Sequence, residues 1–186
     1  MLTFHERLLP RNHFSQPTPY KGVLEDSSYY LEPRIGGQRA ALIFDHPSDY
    51  RVEFVEGDPS LPDGTEVVAE LERCQGIDSL VLDGEFVTQN GMVRYYAFDA
   101  LPVGDWNRRF SSYPLHFRKS VLAMLLLRNN PVRTLFVPTI LVQRAEEVPA
   151  AMSRLKRQGY TEGVLKNIES EYTFGVTEDW LQVSNQ

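Results

Sequence analysis

The sequence predicts an α+β fold with more strand than helix, on three observations. Asn90-Gly91, the strongest short hairpin signal, sits between two long apolar runs, "SLVLDGEFVTQ" and "MVRYYAFDAL". The stretch "YYLEPRIGGQRAALIF" (29–44) sets strand-like runs on either side of a glycine pair, where the backbone bends hard or something approaches it closely. Helical stretches stand in a mixed order among mostly hairpin-connected strands, "PLHFRKSVLAMLLLRN" and "AEEVPAAMSRLKRQGY" being the two longest.

Residues 1–28, with Pro10, Pro17 and Pro19 and few periodic apolar positions, read as an irregular arm ahead of one domain at 29–186. Strands are expected at 29–33, 39–45 and 50–56, then a turn and a short helix at about 64–74. The Asn90-Gly91 hairpin follows. The helix at 114–129 is expected to bury Leu115, Val121, Leu122, Leu125 and Leu126 on one face. "VRTLFVPTILV" reads as one strand, with an edge or bulge at Pro138. The helix at 145–160 is acidic early, basic late and stopped by Gly159. "EGVLKNI" and "DWLQV" close the chain as short strands.

Bulk properties narrow the function. A chain of 186 residues makes one domain with a full core, and 42% hydrophobic with 24% charged residues is ordinary for a soluble protein. The net charge of −6 argues against a protein that coats nucleic acid, though not against a local basic groove. Cys74 is the only cysteine, so no intrachain disulfide forms and a reducing, cytoplasmic setting fits. "MLTFHERLLP" carries charges where a signal peptide needs an apolar core, and the longest strictly apolar run, "VLAMLLL", is too short to span a bilayer. No membrane partner is expected. The histidines at 5, 13, 46 and 116 lack metal-ligand spacing.

Five short signals then stand in a fixed order: "EPRIGGQRA" (32–40), "LDGEFV" (82–87), "YYAFDAL" (95–101), "TEGVLKN" (161–167) and "YTFGVTEDWLQV" (172–183). Each alone is weak. Together they resemble the adenylation domain of ATP-dependent DNA ligases, in the nucleotidyltransferase superfamily that also holds RNA ligases and mRNA capping enzymes. The resemblance covers residues 29–184 and implies two packed, mostly antiparallel sheets flanked by helices around a central cleft, an ATP-grasp-like arrangement.

In that family a lysine in a Lys-x-Asp-Gly motif attacks the α-phosphate of ATP and becomes adenylated. Such chemistry needs an amine that sheds its proton, cationic clamps on phosphate, and a carboxylate-held divalent metal. Here Arg34 stands at the lysine and Gly36 at the aspartate. A guanidinium stays protonated, so Arg34 is no nucleophile. Gln182 and Ser184 stand where the resemblance implies two phosphate-handling lysines, and Asn167 where it implies another. Lys166 is one residue early, an offset that on a strand turns a side chain to the opposite face.

What the resemblance retains is different in kind. It implies that Glu32 helps read adenine, Arg39 contacts ribose or phosphate, Glu85 contacts ribose, Phe98 stacks on the base, and Glu162 associates with metal; Arg34 remains as a cation near phosphate. No catalytic residue is expected, and no cofactor is required, with ATP and Mg left as residual ligands. Equally open is a cleft that the chain fills itself, Glu32 and Arg34 pairing with Arg39 and Glu85, with Phe98 as plain core. The resemblance also implies a C-terminal OB-fold domain, for which the sequence has no room after 184.

The expected function is therefore a catalytically inactive, ligase-like module that binds protein partners. The alternatives are a pseudoenzyme that still holds ATP, an active enzyme using Lys21 or Lys166, and a binder of nucleic-acid ends through basic runs such as "NRRF".

Overall fold

The computed structural model describes residues 3–4, 14–15, 27–46, 49–54, 64–174 and 177–184. A six-stranded sheet is built from β1 (Thr3–Phe4), β5 (Asp49–Phe54), β4 (Gln38–His46), β6 (Leu80–Gln89), β7 (Met92–Pro102) and β9 (Thr134–Phe136), in that spatial order. It is antiparallel in the middle and parallel at its two outer pairs. A five-stranded sheet has the order β10 (Ile140–Val142), β3 (Tyr29–Pro33), β11 (Glu162–Asn167), β13 (Thr177–Ser184), β2 (Phe14–Ser15). β8 (Phe110–Ser111) and β12 (Tyr172–Thr173) form a small third ladder.

Helices cover the outer face of each sheet. α1 (Thr65–Leu71) and α3 (Leu115–Asn129) bury Val67, Val68, Leu71, Leu122, Leu125 and Leu126 against Leu42, Leu82 and Ala97 of the large sheet. α4 (Val148–Arg157) buries Val148, Met152 and Leu155 against Leu31, Leu165 and Leu181 of the small one. Because side chains alternate along strands, the residues between these face inward. Phe98, Val137, Val164 and Trp180 meet there, and Ala41, Ile43 and Leu101 pack on Trp106 and Tyr172 beside them. The site lies between those two inner clusters.

The expected α+β architecture and most element positions match. Asn90 and Gly91 both take positive φ (54° and 74°), the backbone of a two-residue hairpin turn. Several details differ. "VRTLFVPTILV" is two strands in two sheets: β9 pairs with β7 and β10 with β3, and Val137–Thr139 crosses between them. Pro138 has no N–H for a ladder, so pairing breaks at that point. Val121 is only half-buried, while Arg118 and Lys119 join the buried face of α3. A short helix, α2 (Val103–Arg108), follows Pro102 without having been foreseen. In the arm, residues 3–4 and 14–15 extend the two sheets; the rest of its first 26 residues, Lys21 included, lies outside the described residues. Among the described residues no helix is long and apolar enough to cross a membrane.

Candidate functional site

Glu32 anchors the site. It comes from β3, where Leu31 faces the outer core and Glu32 the cleft. Its carboxylate is almost wholly buried, yet it is met by two ammonium groups: Lys119 of α3, and Lys166 of β11 at 2.9 Å. Burial by itself would raise the Glu32 carboxyl, but the two lysines overcome it and hold the group below its usual range. Burial pushes the Lys119 amine down, against the pull of Glu32.

Lys166 is not turned away from the cleft. β11 pairs with both β3 and β13 in unbroken register, so 162, 164 and 166 share one face. That face is the inner one, because Val164 lies in the inter-sheet cluster with Phe98 and Trp180. Asn167, where the resemblance implies the family lysine, is on the opposite face. The Lys166 ammonium sits 4.2 Å from the centroid of Phe98 and 3.9 Å from that of Trp180. Those two rings stand edge to face, 6.3 Å apart. A desolvated cation on an aromatic face is worth about 2 kcal/mol. Phe98 owes its position to a β-bulge: Gly84 pairs with Ala97 but Asp83 with Asp99, leaving Phe98 as the extra residue.

The turn from β3 to β4 explains the glycine pair. Gly36 has φ +72°, and a Cβ on Gly37 would lie 2.4 Å from the Phe86 carbonyl oxygen. The Gly37 N–H donates to a Glu85 carboxylate oxygen at 2.7 Å. Burial raises the Glu85 carboxyl, and this hydrogen bond with nearby Arg39 and Lys166 opposes the rise without cancelling it. Arg34 leads the turn. Its N–H donates to the Glu162 carbonyl, and its guanidinium meets the Glu162 carboxylate at 2.7 Å, both side chains being well exposed.

Arg39 is held differently. Its Nε and Nη2 donate to Asp83 at 3.0 and 2.6 Å, and Tyr172 donates its hydroxyl to the same carboxylate at 2.6 Å. Burial would lower the Arg39 guanidinium, but Asp83 more than offsets that and raises it, keeping it charged. The guanidinium also lies 5.4 Å from the Phe98 ring centroid. Deeper in, Arg118 of α3 grips Asp99 through two hydrogen bonds of 2.9 and 3.1 Å and donates to the carbonyls of Ser170 and Tyr113.

The structure thus brings Glu32, Arg34, Arg39, Glu85, Phe98 and Glu162 to one inter-sheet region. It pairs them otherwise than expected: Glu32 with lysines, Arg34 with Glu162, and Arg39 chiefly with Asp83. Sequence reasoning missed Lys119, Asp83 and Tyr172. For Lys119 a signal existed: 115, 118, 119, 122 and 126 follow the helical spacing of one face, so two cations fall on an apolar stripe. Glu162, the carboxylate associated with metal by resemblance, is engaged by Arg34. Among the described residues no three His, Cys, Asp or Glu side chains converge.

No protein-family model and no curated protein matches the sequence. Solved structures do match the fold. The ATP-dependent DNA ligase from bacteriophage T7, in complex with ATP, superposes with a TM-score of 0.71 at 13% identity, over 95% of this chain and 68% of that one. The ligase domain of M. tuberculosis LigD gives 0.66 at 16%, over 98% and 58%. The structure named "Pmar-Lig_Pre." gives 0.77 at 15%, over 95% of this chain but 46% of its own, so this chain spans about half that protein's length. At these identities the likeness establishes the fold: this chain has the architecture of the nucleotidyltransferase domain of ATP-dependent DNA ligases.

Proposed function

We propose that the chain is a catalytically inactive, ligase-like domain that serves as a protein-binding or structural module and needs no cofactor. One observation carries the reading: the Lys166 ammonium, paired with Glu32 and flanked by Trp180, lies against Phe98, the ring that the resemblance would give to a nucleotide base. Charge matching supports it. Arg34, Arg39, Lys119 and Lys166 are set against Glu162, Asp83, Glu32 and Glu85, so that among these described residues each cation has a carboxylate to meet rather than a triphosphate. A guanidinium at position 34 cannot attack phosphorus.

Incubation with α-labelled ATP and a divalent metal, followed by denaturing electrophoresis, tests the claim, with a thermal-shift titration on the same sample. The expected result is no labelled protein and no saturable rise in Tm. Labelled protein overturns the reading, and mapping the adduct names the nucleophile.

A second reading rests on the nature of the filler. Lys166 is a flexible side chain rather than a rigid wall. If it swings aside, Phe98 and Trp180 offer aromatic faces to a base, and the domain holds ATP without using it. A rise in Tm without label would favour this reading.

A further inference from the structure

We propose that the solvent face of α3 docks an amphipathic helix of a partner protein whose apolar stripe is flanked by acidic side chains. The inference rests on the reading of the chain as a protein-binding module and supplies the surface and the chemistry of the partner.

The large hydrophobic side chains exposed among the described residues are concentrated here. Phe117 (47%), Met124 (68%) and Leu127 (83%) lie on α3, Tyr113 and Val132 lie at its two ends, and Phe110 lies just before them. Helical spacing places Phe117, half-buried Val121 and Met124 in one row, with Leu127 at its margin. The Tyr113 ring stacks on Phe117, centroids 5.1 Å apart and planes within 24°, which extends the row past the helix start. From Phe117 to Leu127 the row runs about 15 Å, nearly three turns of a partner helix. By contrast, α4 turns Arg154, Lys156 and Arg157 to solvent and buries its apolar side. An apolar row of this length on a helix suits ridge-into-groove packing with another helix.

Charge selects the partner. In a chain of net charge −6, α3 contains no acidic residue. Arg128 ends the row one turn beyond Met124. Its guanidinium donates to the Gln75 side chain at 2.6 Å, and no carboxylate pairs with it among the described residues. The neighbouring acids are already engaged: Glu70 accepts the Val132 and Arg133 N–H groups, Glu66 meets Arg133, and Glu169 sits beside His116. A second copy of the chain is a poor occupant, because a two-fold contact sets like surface on like and offers Arg128 no carboxylate from α3. Nucleic acid is a poor one as well, since the row offers a phosphate backbone a single arginine, at its end.

The test uses two fluorescent helical peptides with the same leucine stripe, one flanked by glutamate and the other by lysine. Binding to the whole chain is read by anisotropy, alongside the oligomeric state and competition by a single-stranded oligonucleotide. The glutamate peptide should bind saturably, and more tightly than the lysine peptide. Met124→Asp should weaken it about tenfold or more, and Arg128→Glu should reverse the preference between peptides. Both positions are solvent-exposed, so an unchanged Tm confirms that the variants fold. Equal binding of the two peptides, indifference to both variants, a dimer dissolved by Met124→Asp, or displacement by the oligonucleotide would each overturn the proposal. ATP labelling bears on the cleft alone, so the two claims fail separately.

Discussion

Lys166 Nζ stands 2.9 Å from Glu32 Oε2, joining neighbouring strands β11 and β3 on the inner face of the small sheet. Both groups are almost entirely buried, and Lys119 approaches the same carboxylate from α3. One buried anion between two cations makes the carboxylate the keystone of the cluster. Glu32→Gln removes the carboxylate that both ammonium groups contact and should cost about 3–5 kcal/mol, read by urea unfolding.

Lys166→Ala leaves Lys119 to neutralise Glu32 and removes the cation from Phe98 and Trp180. The loss should be smaller, about 1–3 kcal/mol. The vacated space should let ATP raise Tm where the unaltered protein shows no rise. A variant as indifferent to ATP as its parent would mean that Lys166 is not what excludes the nucleotide.

Restoring the family's lysine should not restore its chemistry. In Arg34→Lys the amine remains beside Glu162, and Gln182 on β13 still stands where a phosphate-handling lysine is needed. Incubation with α-labelled ATP should leave this variant unlabelled. Labelling would show that one substitution silenced the domain.

The buried Arg39–Asp83–Tyr172 group tests whether the inner face is structural. Asp83→Asn breaks a buried ion pair and should cost about 3–5 kcal/mol. Tyr172→Phe removes one hydrogen bond to the same carboxylate, 2.6 Å long, and should cost about 1–2 kcal/mol.

Two glutamates give opposite pH slopes. The Glu32 carboxyl is lowered from 4.5, so its contribution is present above that value and is lost as pH falls through the lower folded one. The Glu85 carboxyl is raised by burial, so its contribution is present below 4.5 and is lost as pH rises through the raised value. Glu32→Gln should therefore flatten the acid limb of stability against pH. Glu85→Gln should raise stability at neutral pH relative to the parent. Urea unfolding from about pH 3 to pH 8 separates the two.

The fold was legible because its signals are local. Alternating runs around Asn90-Gly91, the glycine pair at 36–37 and the spacing of α3 and α4 each depend on nearby residues. The partners within the site were not, because they depend on register. A bulge at Phe98 and an unbroken ladder at β11 decide which side chains face inward, and neither leaves a mark in composition. Pro138 was read as an edge or bulge within one strand, and instead lies in a passage between sheets.

That passage limits how the domain moves. Val137–Thr139 and Arg34–Gly37 each lead directly from one sheet to the other. A fully extended chain spans at most about 3.5 Å per residue, so links this short cap how far the strand ends they join can part. At these two points the sheets are tethered by short links, one of them folded into a turn at Gly36. A molecule reaching Phe98 and Trp180 would still have to displace the Lys166 ammonium that lies against both rings. Its entry would then depend on how often the Glu32–Lys166 contact opens.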